Sequence, residues 1–532
     1  MICGRRTAES IRARLEAPST RFAIVALSLA LVAILLQPAA ALAHAMLKSS
    51  NPAAGARLST APRTIRLVFT ERPDLTFTRV ELYDAGGGAI ALDTVAFAPD
   101  SKRAVLAAIR GALYTGVYTV AWQTAGDDGH PTHGRFSFTI APGASGIGRA
   151  KTGGEAAGGV TAPGQLAPPH EHHAGTSMPD DNSFGAESPA YVAIRWLQFS
   201  ALLIAVGAVV FRFVVLGFMA RERVPRLTLI ADAASAAARL GFASVAVLGV
   251  AAVLRLGAQS YAMHGVSRAW NIVLVGTMLG RTVWGWAWLL QIASILVALV
   301  GFAKSRHSAA SSLSGNWMLA LLGTAVLAFT PAISGHAVSA PRLTALAVLA
   351  DGVHVIGAGG WLGSLLVVIV AGIPSALRLE ASERGLAVAE LVNAFSPTAL
   401  AFAGATAATG VFAAWLHLGA IRALWETAYG QTLLVKLAVL SVVAATGAYN
   451  WLRVRPALGD IEGARRVRRS ATVEIAMGVV VLAATAVLVA LPTAIDEAAT
   501  HEPAASIRAC PPSVAASRCP SADSPASSQP ST

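Results

Sequence analysis

Eight stretches of this 532-residue chain are apolar over the length a helix needs to cross a bilayer: roughly 191–216, 228–254, 282–303, 317–334, 344–373, 389–416, 431–452 and 472–493. Crossing the hydrocarbon takes about 20 residues at helical rise. Within it, backbone polar groups must be bonded inside the segment or in a closed barrel, so runs of this length are predicted to be helices. The pattern predicts an all-α polytopic membrane domain of about eight helices over residues 189–495. Composition agrees, with 55% of residues hydrophobic and 13% charged, about half the charged share of a soluble globular chain.

The net charge of +12 belongs to this membrane pattern. Arg221, Arg223 and Arg226 follow the first run, and Lys304 and Arg306 the third. Arg378 and Arg384 follow the fifth, and Arg453, Arg455, Arg465, Arg466, Arg468 and Arg469 the seventh. Every second loop is basic, which assigns those loops to the cytoplasm. Residue 190 then lies outside, and so does the Ala-, Ser- and Pro-rich tail 496–532, which reads as disordered. Cys510 and Cys519 in that tail are close enough in sequence for a small disulfide in an oxidising compartment. No basic stripe with interleaved aromatics occurs, so no nucleic-acid partner is expected. The sequence has neither a CxxC pair nor a phosphate-cradling P-loop.

Residues 1–43 read as a secretory signal peptide. Arg5, Arg6, Arg12 and Arg14 precede the apolar run Phe22 to Leu36, and Ala41-Leu42-Ala43 forms a small-x-small cleavage site. The alternative is an uncleaved anchor helix, for which the run is short. Cleavage after Ala43 leaves His44 as the first residue. A terminal histidine offers its amine and ring nitrogen to one ion, a donor pair that suits tetragonal Cu(II).

Residues 44–142 alternate apolar and polar side chains in short segments. Ile65, Leu67 and Phe69 alternate with Thr64, Arg66 and Thr70, although Val68 breaks the polar face. Val80 and Leu82 alternate with Arg79 and Glu81, and Phe136, Phe138 and Ile140 with Arg135, Ser137 and Thr139. Period-two patterning with Pro and Gly turns predicts an all-β, Ig-like antiparallel sandwich of cupredoxin-like form. Between the segments Gly116–Thr124 and Arg135–Ile140 lies Asp127-Asp128-Gly129-His130-Pro131-Thr132-His133-Gly134. Asp128 and His130 share a face if the segment is extended, which could complete a four-donor site with His44. Asp-Gly and His-Pro are equally turn dipeptides, so an ordinary turn stands beside the metal reading.

The motifs of this segment resemble the CopC family of periplasmic copper-binding β-sandwiches. They are His44, Leu47-Lys48-Ser49-Ser50-Asn51-Pro52-Ala53-Ala54-Gly55, Leu67-Val68-Phe69-Thr70-Glu71, Asp128-Gly129-His130-Pro131 and Gly134-Arg135-Phe136-Ser137-Phe138. The resemblance implies one Cu(II) site made by the amine and ring of His44, the carboxylate of Asp128 and the ring of His130. His133 lies outside the matching pattern and receives no role. Met46 is the only methionine of the domain, so no methionine-rich Cu(I) segment is expected.

Residues 143–188 are rich in Gly, Ala and Pro and read as a flexible linker. His170-Glu171-His172-His173 within it is either a loose metal tract or a solvated polar stretch. In the membrane domain, His264, His336 and His417 fall near the outer ends of the second, fourth and sixth runs. His354 lies about ten residues into the fifth, roughly 15 Å deep, where an ionisable group is functional or paired. Asp351, three residues earlier, could bond to it. Ser334-Gly335-His336-Ala337, His354 with Gly359-Gly360-Trp361-Leu362-Gly363, Phe395-Ser396-Pro397 with Thr409-Gly410, and Tyr429-Gly430 with Leu433-Leu434-Val435-Lys436 resemble the CopD family of inner-membrane copper proteins. His336, His354 and His264 are the candidate copper contacts there.

The two resemblances imply a fused CopC–CopD chain, multi-pass in a bacterial inner membrane with the β-domain in the periplasm. The expected activity is Cu(II) capture and copper uptake, with copper ions and the lipid membrane as partners. A separate reductant or copper donor is implied if Cu(I) is the form moved. Sequestration without transport is the second reading. A histidine-brace oxygenase is the third, and Asp128 at a position oxygen would need argues against it, so no enzymatic activity is expected.

Overall fold

The structure, a computed structural model, describes residues 45–126, 129, 131–142, 188–222, 226–265, 267–306, 315–335, 337, 343–449, 452, 461–491 and 493–495. The signal segment, the linker, the tail with Cys510 and Cys519, and His44, Asp128, His130 and His336 lie outside the described residues.

Strands β1 (Leu47–Asn51), β3 (Thr64–Phe69), β7 (Ser101–Ala108) and β6 (Ala96–Ala98) form one sheet in the order β1-β3-β7-β6. Strands β2 (Arg57–Leu58), β9 (Pro131–Ile140), β8 (Gly116–Ala125), β4 (Arg79–Tyr83) and β5 (Ala89–Ile90) form the other, in the order β2-β9-β8-β4-β5. All pairs are antiparallel except the two-residue β2 against β9. The alternation read from the sequence is the burial pattern: Ile65, Leu67, Phe69, Leu82, Phe138 and Ile140 are buried between the sheets. Val68 is half-buried on the opposite face. Trp122 packs edge-on to Phe69 at 5.4 Å between ring centroids. Its indole covers Gly134, where a Cβ would stand 2.7 Å from the ring.

The helical domain comprises α1 (Pro189–Met219), α2 (Leu227–His264), α3 (Ile272–Arg281), α4 (Val283–Ser305), α5 (Gly315–Ile333), α6 (Thr344–Ala376), α7 (Ala381–Leu418), α8 (Ala428–Tyr449) and α9 (Ile461–Leu488). Among the described residues, seven of these are long and apolar enough to cross a membrane, namely α1, α2 and α4–α8. The eighth apolar run is the shorter stretch Thr472–Leu488 of α9. Large apolar side chains such as Val250, Val253, Leu296, Val411 and Trp415 point outward, as helix faces surrounded by lipid do. Inside, small residues let backbones approach. A Cβ on Gly207 of α1 would stand 2.1 Å from the carbonyl carbon of Gly363 on α6, and one on Gly301 of α4 2.3 Å from Ala320 N on α5. Without a hydrophobic force between helices in lipid, such close packing is what holds them together.

The two domains touch at the far end of α2. Gln123 on β8 donates through Nε2 to the carbonyls of Ala262 and Met263, at 2.8 and 3.0 Å. These are among the last carbonyls of α2, which have no partner within the helix. Phe77 and Ala125 from the β-domain pack with Met263, Met278 and Trp284 in one apolar cluster. At the opposite end of α2, Arg226 pairs with Glu390 of α7 at 3.0 Å and with Glu383 at 3.2 Å. The basic loop after α1 and the β-domain thus sit at opposite ends of a 38-residue helix, about 57 Å long at 1.5 Å per residue.

Candidate functional site

The β8–β9 hairpin carries the expected Asp128 and His130, and its register fixes where the segment begins and ends. Ala125 pairs with Pro131, Thr124 with Thr132 and Gln123 with His133. Thr132 Oγ1 donates to the carbonyl of Ala45 at 2.8 Å, and Met46 N donates to Thr70 Oγ1 at 3.0 Å. The chain immediately after His44 is therefore stitched to the strand that begins immediately after His130. Among the described residues, no three His, Cys, Asp or Glu side chains gather as a metal site.

Gly126 and Gly129 are the described residues of the loop, with Gly129 N donating to Gly126 O at 3.0 Å, and Gly129 is seated on the helical domain. Its φ is +79°, and a Cβ there would meet Thr282 Cβ at 2.8 Å and Trp284 Cβ at 3.2 Å. Only glycine satisfies both the left-handed backbone and that contact. Gln259 Nε2 donates to the Gly129 carbonyl at 3.0 Å, and Gln259 Oε1 accepts from Tyr191 Oη at 2.7 Å. This buried chain of donors ties the hairpin to α2 and α1.

Beneath the hairpin a cavity of about 1830 Å³ runs between the domains and into the bundle. Its outer wall includes Trp122, Gln123 and His133 of the β-domain; its inner wall includes Asp351, His354, Tyr429 and Lys436. Arg79, on the rim, has its guanidinium held below its usual value by burial and, second, by the neighbouring charge of Arg268. Arg255, buried in α2, donates to Ser334 Oγ at 3.0 Å and lies over the Trp284 ring at 5.4 Å. The serine of the Ser334-Gly335-His336-Ala337 motif is thereby fixed to α2.

His354 lines the cavity, but its partner is not Asp351. Its Nδ1 meets Thr409 Oγ1 of α7 at 3.1 Å, and a Cβ on Gly410 would stand 3.3 Å from its ring. Asp351 has Lys436 of α8 as its opposing charge. Residues three apart on a helix are rotated by about 60° from one another, and here His354 finds its hydrogen-bond partner on α7 while the charge of Lys436 acts on both side chains. Thr409-Gly410 thus seats His354. The glycines of Gly359-Gly360-Trp361-Leu362-Gly363 serve packing, against Val206, Phe402 and Leu203 respectively, while Trp361 and Leu362 line the cavity. His417 also lines it. His264, at the end of α2, is buried: it is 1% exposed and lies under Phe77, ring centroids 5.7 Å apart.

Lys436, Gln259, Tyr191 and Arg255 were not singled out from the sequence as site residues. Lys436 had a legible signal, an ionisable residue inside an apolar run. Arg255 looked like the end of the second run, yet the helix continues to His264 because the guanidinium finds its bonds inside the protein.

A two-sheet β-domain seated on a polytopic helical bundle, with a shared cavity between them, is the class of protein that fold and site define. Residues 47–141 match the family described as CopC domain. Residues 183–341 match the copper resistance protein D-like N-terminal domain, and residues 389–488 match copper resistance protein D. The chain belongs to the fused CopC–CopD family of copper transport and resistance proteins. It is similar to the copper transport protein CutJ of Bacillus subtilis (strain 168), 26% identical over 460 residues, which covers 86% of this chain and 75% of the relative. It is 33% identical over 107 residues to copper resistance protein C of Escherichia coli, covering 19% of this chain and 83% of that protein. Among solved structures it matches PcoC, a methionine-rich copper resistance protein from Escherichia coli, at 31% identity, 18% coverage of this chain, 99% of that one and a TM-score of 0.17.

Proposed function

We propose that this protein captures Cu(II) in the periplasm with residues 44–142 and passes copper into the helical domain, 189–495, for uptake across the cytoplasmic membrane. The observation that carries the reading is the seat of Gly129: the hairpin expected to hold the ion is bonded to α2 above a cavity that reaches His354. Capture would use the amine and ring of a processed His44 with Asp128 and His130, nitrogen and carboxylate donors suited to Cu(II). The bonds Thr132–Ala45 and Gln259–Gly129 support this, since they hold the neighbours of the three residues. His264, His336 and His354 would be the contacts further in. The β-domain and C-terminal tail would face the periplasm. The Arg226–Glu390 end would face the cytoplasm, in keeping with its basic loop. A separate reductant is required if Cu(I) is the form moved.

Two measurements test this. N-terminal sequencing of the mature chain together with Cu(II) EPR should give His44 first and a nitrogen-rich tetragonal signal; a different first residue removes the proposed donor set. Copper accumulation by cells expressing the intact chain should exceed that of cells carrying the His336→Ala/His354→Ala double variant. Equal accumulation would leave sequestration without transport as the reading.

A further inference from the structure

We propose that the junction between the β-domain and the helices holds a second metal site, selective for a soft monovalent ion such as Cu(I) or Ag(I), made by His264 Nε2 with the thioethers of Met263 and Met278. It deepens the copper-carrier reading and rests on it for its biological cargo. The donor set, however, is argued from the junction alone.

The tautomer of His264 follows from its neighbours. Its Nδ1 lies 3.1 Å from the Ser260 carbonyl and 3.1 Å from Ser260 Oγ. The carbonyl can only accept. The hydroxyl proton of Ser260 is committed to the Ala269 carbonyl at 2.6 Å, so Oγ accepts as well. Nδ1 therefore carries the proton, and Nε2 presents a lone pair. That nitrogen is buried and has no hydrogen-bond partner, an unfavourable arrangement when nothing fills it. A ring that donates through one nitrogen to a backbone carbonyl and leaves the other bare is the usual state of a metal-bound histidine.

The surroundings choose the kind of ion. The side chains packed at this junction are Phe77, Ala125, Met263, Met278 and Trp284, with Met263 1% and Met278 0% exposed. Phe77 touches both the methionine cluster and the His264 ring. Buried thioether and imidazole donors of this kind favour soft ions over Cu(II) with its preference for tetragonal nitrogen and oxygen sets. Its position is also apt, since Gln123 of the β8–β9 hairpin bonds to the carbonyl of Met263 itself and to that of Ala262 beside it.

The test uses the full-length protein in detergent, without oxygen, titrated with Ag(I) and with Cu(I) against a chromophoric Cu(I) chelator. Two variants are compared with the wild type. Met263→Leu/Met278→Leu preserves apolar volume, and His264→Asn keeps a donor toward Ser260 while deleting Nε2. Each should lose one equivalent of tight Ag(I) binding, or weaken it at least tenfold, with the Cu(II) EPR signal unchanged. X-ray absorption of the wild-type Ag(I) form should show sulfur and nitrogen neighbours. Unchanged stoichiometry and affinity in both variants, or a wild-type spectrum without sulfur, would overturn the site and leave Met263 and Met278 as packing residues. If a variant does not fold, the wild-type spectrum alone decides. The copper-uptake reading fails separately, on Cu(II) EPR and cellular accumulation, neither of which enters this test.

Discussion

Gln259 donates to the carbonyl of Gly129 at 3.0 Å while accepting from Tyr191 Oη at 2.7 Å, so a membrane helix holds the tip of the β8–β9 hairpin through a single side-chain amide. Gly129 supplies the acceptor because its backbone can come close enough to Thr282 and Trp284. Among the described residues, the relative position of the two domains is therefore written in a few side chains.

Gln259→Leu should loosen the hairpin tip from the helices without altering the sandwich, while Gln123 still bonds to Ala262 and Met263. It removes the side-chain donor to the Gly129 carbonyl, a cost of about 1–3 kcal/mol for a buried group left unsatisfied. The expected result is a fall of several-fold or more in copper accumulation by intact cells, with the Cu(II) EPR spectrum of the purified protein unchanged. Accumulation at the wild-type level would show that docking through Gln259 is dispensable.

Thr409→Val is close to isosteric and removes the hydroxyl that meets His354 Nδ1 at 3.1 Å. A hydrogen bond of this kind contributes about 1 kcal/mol, so copper accumulation should fall by about fivefold, and Thr409→Ser should restore it. Loss in both variants would point to the threonine methyl, and therefore to packing, as the cause.

Gly207→Ala should destabilise the bundle, since the new Cβ would fall 2.1 Å from the Gly363 carbonyl carbon. Overpacking of this severity costs about 1–3 kcal/mol or more, to be read as a lowered midpoint of thermal unfolding in detergent. Gly404→Ala is the control: nothing lies within 4 Å of its Cβ, and alanine gains up to about 1 kcal/mol over glycine inside a helix. Equal midpoints for the two variants would contradict the close α1–α6 crossing.

Single cysteines placed in a background with Cys3, Cys510 and Cys519 changed to serine would check orientation. Tyr114→Cys, at a side chain 50% exposed on the β-domain, should react with a membrane-impermeant maleimide on intact spheroplasts. Glu222→Cys, exposed beside the Arg226 end of α2, should react only after the membrane is opened. The reverse labelling would invert the proposed topology.

The elements themselves were largely legible. The spans of α1, α4, α5 and α6 begin within two residues of the apolar runs that foretold them, and β3, β4 and β9 turn inward the side chains that their alternation selected, with Val80 and Phe136 only partly buried. Where the reading fell short, it fell short laterally. Asp351 and His354 suggested a pair because they are three apart. The charge acting on Asp351 is instead that of Lys436, 85 positions later by number, and the hydrogen-bond partner of His354 is Thr409, 55 positions later. Likewise the second run seemed to stop before Arg255, because nothing local reveals that Ser334 and Trp284 will receive that guanidinium.

Eight apolar runs, alternating basic loops and period-two strands are determined by the sequence alone, because hydrocarbon thickness, loop charge and the two backbone repeats act on consecutive residues. The tertiary structure decided what no local rule carries: that Gly129 rests on Thr282 and Trp284, that His264 is sealed beneath Phe77, and that His354, Asp351 and Lys436 line one cavity. Those outcomes depend on how each helix is rotated and where glycines let backbones meet, which is settled only when every side chain has found its neighbour.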